Sequence, residues 1–431
     1  ISYDKKIIEL NVDHEYIARS YCRIGSCYDG LGDVYKALDY YNEGILRLEG
    51  QQSHNNLARN YNNLAALYMN IGTKEGLELQ LSSLRKVESL QQYVTLSPAR
   101  LAITHNLLGD YYNNKVPHNF DSAKFHYNIA LQNAQHIQDS TRIQAALVNL
   151  GILHAKAQQD SALWYLHEGL KFAVSDASRI NAYRALSDFY FEKGTAHLDK
   201  ALQYINKGIA SNLFHEEPFH GQPIRKNLLE NAMNADEALS AIVTRILIRI
   251  KQYEQSKEQS LIEAALSDVN SADTLIDLIQ QKSSVERSKL HWQRRASEVY
   301  SKGILCAQLL NRKSLAFYFS EKIKALLLTE NILSQAKNDS LPEKVKAAIN
   351  LRKAELIKWQ RESRKAGAKT DERGLQKKLF SSKLRYQQFL DSIKLIYPEY
   401  YAHLSNIALL PLQKIRQQLP EDLVVISYVW E

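Results

Sequence analysis

One supersecondary unit recurs along this chain, and its recurrence limits the fold more than composition does. In residues 21–44, YCRIGSCYDGLGDVYKALDYYNEG, Tyr21, Ile24, Gly25 and Tyr28 fall at i, i+3, i+4 and i+7, the spacing of one helix face. Leu31-Gly32-Asp33 interrupts that run. Ala37, Tyr41 and Gly44 then form a second stripe, so the unit reads as an antiparallel helical hairpin. Gly25 and Ala37 let the two backbones approach closely, while Tyr28 and Tyr41 fill the space beside them.

Four further copies follow. Tyr61, Leu64, Ala65 and Tyr68 precede Leu77, Leu81 and Leu84; His105, Leu108, Gly109 and Tyr112 precede Ala123, Tyr127 and Ala130. Leu147, Leu150, Gly151 and His154 precede Ala162, Leu166 and Gly169; Tyr183, Leu186, Ser187 and Tyr190 precede Ala201, Ile205 and Gly208. With Gly25, Ala65, Gly109, Gly151 and Ser187 as equivalents, the spacings are 40, 44, 42 and 36 residues. These hairpins resemble tetratricopeptide (TPR) repeats, whose minimal period is about 34 residues. The expected fold is all-α, a right-handed TPR-type helical-hairpin solenoid.

Composition agrees. A solenoid grows by stacking and needs no single central core, which suits 431 residues with only 16 Gly and 8 Pro. Cys22, Cys27 and Cys306 are an odd set without CxxC spacing, which argues against a disulfide framework or a zinc site and for a reducing, cytoplasmic compartment. The apolar run AIVTRILIRI at 241–250 is too short to cross a membrane and carries Arg245 and Arg249. Because Ile1 is not a Met, an N-terminal piece is expected to precede it, and no signal peptide is readable.

In chain order, residues 1–16 read as the remnant helix of a preceding repeat, 17–213 as five hairpins, and 214–226 as a loop rich in Pro and Gly. Residues 227–290 read as long helices of a divergent repeat, with helices near 230–255 and 258–281, and 291–335 as a last hairpin. The pattern Ala316-Phe317, Glu321-Lys322, Lys324-Ala325 closing that hairpin resembles the CHAT family, caspase-like proteins whose TPR arrays precede a protease-type domain. Similar to that family too are a Pro-led long basic hairpin at 341–404, the element Tyr397-Pro398-Glu399-Tyr400, and LPEDLVVISYVWE at 419–431. The resemblance implies that 405–431 is a linker and the first strand of a caspase-like α/β domain lying beyond residue 431, in a bacterial protein. A His/Cys dyad is implied only downstream. His220-Gly221 and Cys306 mimic its order, but one stands in a proline-rich loop and the other in a helical run.

No P-loop, GxGxxG, HExxH or GxSxG is present. Residues 1–431 are expected to have no catalytic activity, no cofactor and no metal, and to act as a protein-protein interaction scaffold or sensor regulating the CHAT domain. One residue onward from the packed face, the family's geometry implies a concave groove. Its candidates are Arg19, Cys22, Ser26 and Asp29; Arg59, Asn62 and Met69; Asn106, Asp110 and Asn113; and Asn181, Arg184 and Asp188. Amide-rich side chains there suit an extended peptide whose backbone needs partners, and a solvated helix face is the alternative. The chaperone-tail clamp of TPR proteins would need Lys and Asn where Cys22 and Ser26 stand, so it is not expected.

The net charge of +8 is local. Residues 341–394 hold fifteen Lys/Arg against six Asp/Glu, leaving the rest near neutral. Arg352, Lys353, Arg361, Arg364, Lys365, Lys377, Lys378 and Arg385 form a basic patch with Trp359 and Tyr386 nearby. It reads as a nucleic-acid surface, a solvated face or a site for an acidic protein. A plain scaffold without protease control, or a nucleic-acid-associated regulator, are the other readings of the whole chain.

Overall fold

The computed structural model describes residues 1–10, 14–49, 53–213, 223–232, 234–282, 286–323, 341–365, 372–397 and 417. It divides into two units, 1–292 and 293–431. Among the described residues all regular structure is helical.

The first unit opens with α1 (Ser2–Glu9) and then sets five hairpins in succession. They are α2 (His14–Gly30) with α3 (Val34–Leu48), α4 (His54–Ile71) with α5 (Lys74–Leu90), and α6 (Pro98–Asn114) with α7 (Phe120–His136). Then come α8 (Ser140–Lys156) with α9 (Ser161–Lys171) and α10 (Asp176–Glu192) with α11 (Leu198–Asn212). Helix starts follow local chemistry. The side chains of Thr73, Ser97, Asn119 and Asp139 accept from the amides of Gly76, Arg100, Ser122 and Arg142, and Ser175 with Ser178 closes a reciprocal capping box.

The small residues that mark the repeat seat the second helix. A Cβ on Gly25 would lie 2.8 Å from the Tyr41 ring, and one on Gly151 would lie 2.5 Å from the Leu166 side chain. At Gly109 the Tyr127 ring occupies that space, and at Ser187 the hydroxyl donates to the Ala201 carbonyl at 2.9 Å. The same register thus holds in the first, third and fourth copies, with the residue four after the Ala of the second helix filling the gap, and in the fifth the small residue bonds that Ala itself.

Helix α12 (Lys226–Glu230) leads into the hairpin of α13 (Ala235–Ser256) and α14 (Gln259–Lys282). Arg245 and Arg249, conspicuous within the apolar run, are buried here. Arg245 donates to both Asp268 oxygens, at 3.0 and 2.5 Å, and to Asn206 of α11 at 3.1 Å; Arg249 donates to Asp268 at 2.5 Å and to the Ala264 carbonyl at 2.9 Å. These charges lock α13, α14 and α11 together. Among the described residues no helix is long and apolar enough to cross a membrane.

The start of α15 (Glu286–Leu309) returns to the first repeat. Ser288 donates to Asp33 at 2.6 Å and accepts from the Tyr35 amide, while Trp292, buried, donates its indole N–H to the Gly32 carbonyl at 2.7 Å. Gly32 has φ +77, and a Cβ there would meet the Trp292 ring at 2.8 Å, so glycine is required twice over.

In the second unit, Cys306 is buried within α15, and Phe319 of α16 (313–323) stacks on Tyr300 with centroids 5.9 Å apart. α17 (Glu343–Lys365) pairs with α18 (Glu372–Ile396) around Leu341, Ile349 and Ile393. The loop at 214–222 with His220, the Pro398-Glu399-Tyr400 element and the strand expected at 424–429 lie outside the described residues.

Candidate functional site

Each first helix of the array, α2, α4, α6, α8 and α10, packs along the first helix of the next repeat. Among the described residues the second helices instead rest on the following repeat's first helix. The first helices therefore form a continuous row on the inner side of the stacked hairpins, and the groove candidates are all on them.

Their placements differ. Arg19 is exposed and paired with Glu15 at 2.6 Å. Ser26 is exposed and accepts from the Tyr41 hydroxyl at 3.1 Å. Asp29 is half-buried, and burial followed by the nearby Asp236 raises its pKa to about 6. Arg59 is exposed and Asn181 half-buried. Asn62 is 1% exposed and donates to Thr104 at 3.0 Å, so it joins α4 to α6 in place of facing open groove. Cys22 is buried too, with Asn63 donating to its Sγ at 3.2 Å.

Asn106, Asp110 and Asn113 come together with residues that periodicity did not single out. Asp110 accepts from the Tyr127 hydroxyl at 2.8 Å and from Asn149 at 2.9 Å; Asn149 also donates to Asn106 at 3.3 Å, and Lys156 donates to Asn113 at 3.2 Å. Burial raises the Asp110 pKa to about 7 against the opposing effects of the Tyr127 hydrogen bond and Lys156. Arg184 reaches Glu237 of α13 at 3.1 Å and Asp188 at 3.5 Å. Burial raises the Asp188 pKa while Arg184 pulls it down.

The inner face is thus graded. Its basic residues Arg19, Arg59, Arg100 and Arg142 stand toward the starts of the first helices, and Asp29, Asp110 and Asp188 stand toward the ends. Arg100, Arg142, Asn149 and Lys156 were missed by the sequence reading. The recurrence of Arg59, Arg100 and Arg142 at spacings of 41 and 42 was the signal available for the first two.

The basic hairpin is partly committed to its own packing. Arg352 lies over the Phe389 ring at 3.9 Å, Arg385 pairs with Glu355 at 2.7 Å, and Lys358 and Lys378 sit 5.1 and 5.0 Å from the Trp359 ring. Lys353 and Arg361 are exposed. Arg364, Lys365 and Lys377 are on these helices, with side chains outside the described set. Among the described residues no three His, Cys, Asp or Glu side chains converge as a metal site.

No family model matches the sequence, and no curated protein matches it. Among solved structures, a circular tandem repeat protein with novel repeat topology and enhanced subunit contact surfaces is 11% identical over 91% of this chain and 92% of that one, with a TM-score of 0.15, too poor a superposition to bear on the fold.

Proposed function

We propose that this chain is a TPR-type interaction scaffold whose inner face holds a protein or peptide partner and which regulates a CHAT caspase-like domain C-terminal to it. The reading is supported by the line of five first helices, three of which, α6, α8 and α10, carry Asn106, Asp110, Asn149 and Asn181, amide and carboxyl groups suited to the backbone of an extended chain. Regulation of a peptidase rests on the resemblance of 291–431 to CHAT relatives. In this reading residues 1–431 bind and transmit but catalyse nothing, and they act in the cytoplasm.

The test is capture from lysate by residues 1–431, with and without nuclease, comparing wild type with Asn106→Ala/Asn181→Ala. A protein retained by the wild type and lost by the variant supports the reading. Material that is sensitive to nuclease and salt, and bound equally by both, would refute it and favour the second reading, in which Lys353 and Arg361 hold nucleic acid. The peptidase clause falls if the coding sequence stops at residue 431 or continues without a His and a Cys after strands.

A further inference from the structure

We propose that the N-terminal ends of α4, α6 and α8 form a receptor for a carboxylate carried by a peptide lying along the inner face. This rests on the groove reading above and names the chemistry of its ligand.

Three guanidinium groups, from Arg59, Arg100 and Arg142, stand on three successive inner helices. Arg100 is half-buried, and burial followed by the proximity of Arg59 and Arg142 lowers its pKa. Other arginines of the array have acids: Arg19 has Glu15, Arg179 has Asp176, and Arg184 has Glu237. Arg142 pairs with Asp139 through one terminal nitrogen. Among the described residues no carboxylate pairs with Arg59 or Arg100. The Nε atoms of Arg100 and Arg142 are both buried without a hydrogen-bond partner.

That arrangement costs the free protein stability in three ways: like charges lie close, buried donors go unmade, and Arg100 and Arg142 sit in first helical turns where the macrodipole opposes a cation. A carboxylate would relieve all three, because a guanidinium fork takes both of its oxygens. The neighbouring Cys22 supplies no such anion, since burial raises its pKa and keeps it a thiol. These three positions are not those of the chaperone-tail clamp.

The rest of the face selects the ligand. Beyond the three arginines, Asp29, Asp110, Asp188 and Glu237 leave this face without the continuous positive charge a polyanion needs, whereas Asn106, Asn149 and Asn181 suit a peptide backbone. A chain with a localised negative charge fits better than a nucleic acid.

Fluorescence anisotropy at low salt tests this with residues 1–431 and four labelled probes. They are an Asn/Glu peptide with an amidated C-terminus, its Gln analogue with a free C-terminus, that analogue amidated, and oligothymidylate. Binding of the first or second over the third is expected and tells a side-chain carboxylate from a terminal one. Arg100→Gln should weaken it about tenfold, Arg59→Gln similarly, and exposed Lys86→Gln not at all. Arg100→Gln should melt no lower than wild type, because it removes a buried like charge. The proposal is overturned if the amidated neutral peptide binds as well, which leaves the groove standing, or if the arginine variants keep wild-type affinity. It is overturned as well if Arg100→Gln melts lower without losing affinity, or if oligothymidylate alone binds in an Arg100-dependent way. Binding of none of the four probes sinks the receptor and counts against a peptide groove.

Discussion

Gly109→Ala tests whether the repeat's small residue is there for close approach or by chance of composition. In an isolated helix the change gains about 1 kcal/mol of propensity. Here the new methyl would enter the Tyr127 ring, and that ring has no freedom to yield. It is 1% exposed, and its hydroxyl is tethered to Asp110 at 2.8 Å. Overpacking of this kind costs about 1–3 kcal/mol, and disturbing the tether adds about 1 kcal/mol. The net expectation is a loss of about 1–3 kcal/mol, seen as a lower urea midpoint and faster hydrogen exchange across α6 and α7. Gly30→Ala is the control, since a Cβ there meets nothing within 4 Å, and it should be neutral or stabilising. In a Tyr127→Ala background the sign at position 109 should reverse, because the obstacle is gone. A Gly109→Ala protein as stable as wild type, or equal cost in both backgrounds, would refute the close-approach argument.

Asp268→Ala leaves Arg245 and Arg249 buried without their shared acceptor and should cost about 3–5 kcal/mol by urea denaturation; a loss near zero would show that water reaches them. Asp110→Asn keeps the acceptor for Tyr127 and Asn149. Because the folded pKa of Asp110 is raised to about 7, wild-type stability falls as pH rises from about 4 toward 7, so the gain from Asn should grow over that window and stay constant above it. His105 and His126 run the other way. Their Nδ1 atoms are 3.0 Å apart, and burial with His126 nearby lowers the His105 pKa to about 4, so stability present above 6.5 should be lost as pH falls toward 4. His105→Gln should flatten that acid limb in melting experiments, and an unchanged limb would refute the assignment.

The hairpins were legible because a 3.6-residue stripe broken by a turn needs only local information. Gly25, Gly109 and Gly151 mark the register by themselves. The face each polar residue takes was less legible. Asn62 and Asn106 occupy the equivalent position of successive repeats, yet one is buried against Thr104 and the other bonds Asn149 at the groove. That difference depends on how far one repeat is rotated on the next, which no single repeat encodes. The arginine cluster escaped for a related reason. Arg100 and Arg142 stand about one turn earlier, relative to Gly109 and Gly151, than Arg59 does relative to Ala65, so alignment on the small residues hid them. Arg245 and Arg249 show in the sequence only as charges that interrupt an apolar run, because their partner Asp268 belongs to the next helix.

The contacts from Ser288 and Trp292 to the first turn change how the array comes apart. Stacked repeats touch only neighbours, so such arrays fray from their ends and zip up stepwise. Here Trp292 meets Gly32 across 260 residues. Bringing those segments together costs about 2 kcal/mol more loop-closure entropy than joining adjacent repeats, so the contact should form late in folding. Once made, it denies the N-terminal hairpin a free end, and α2 and α3 open only when residues 288–292 let go.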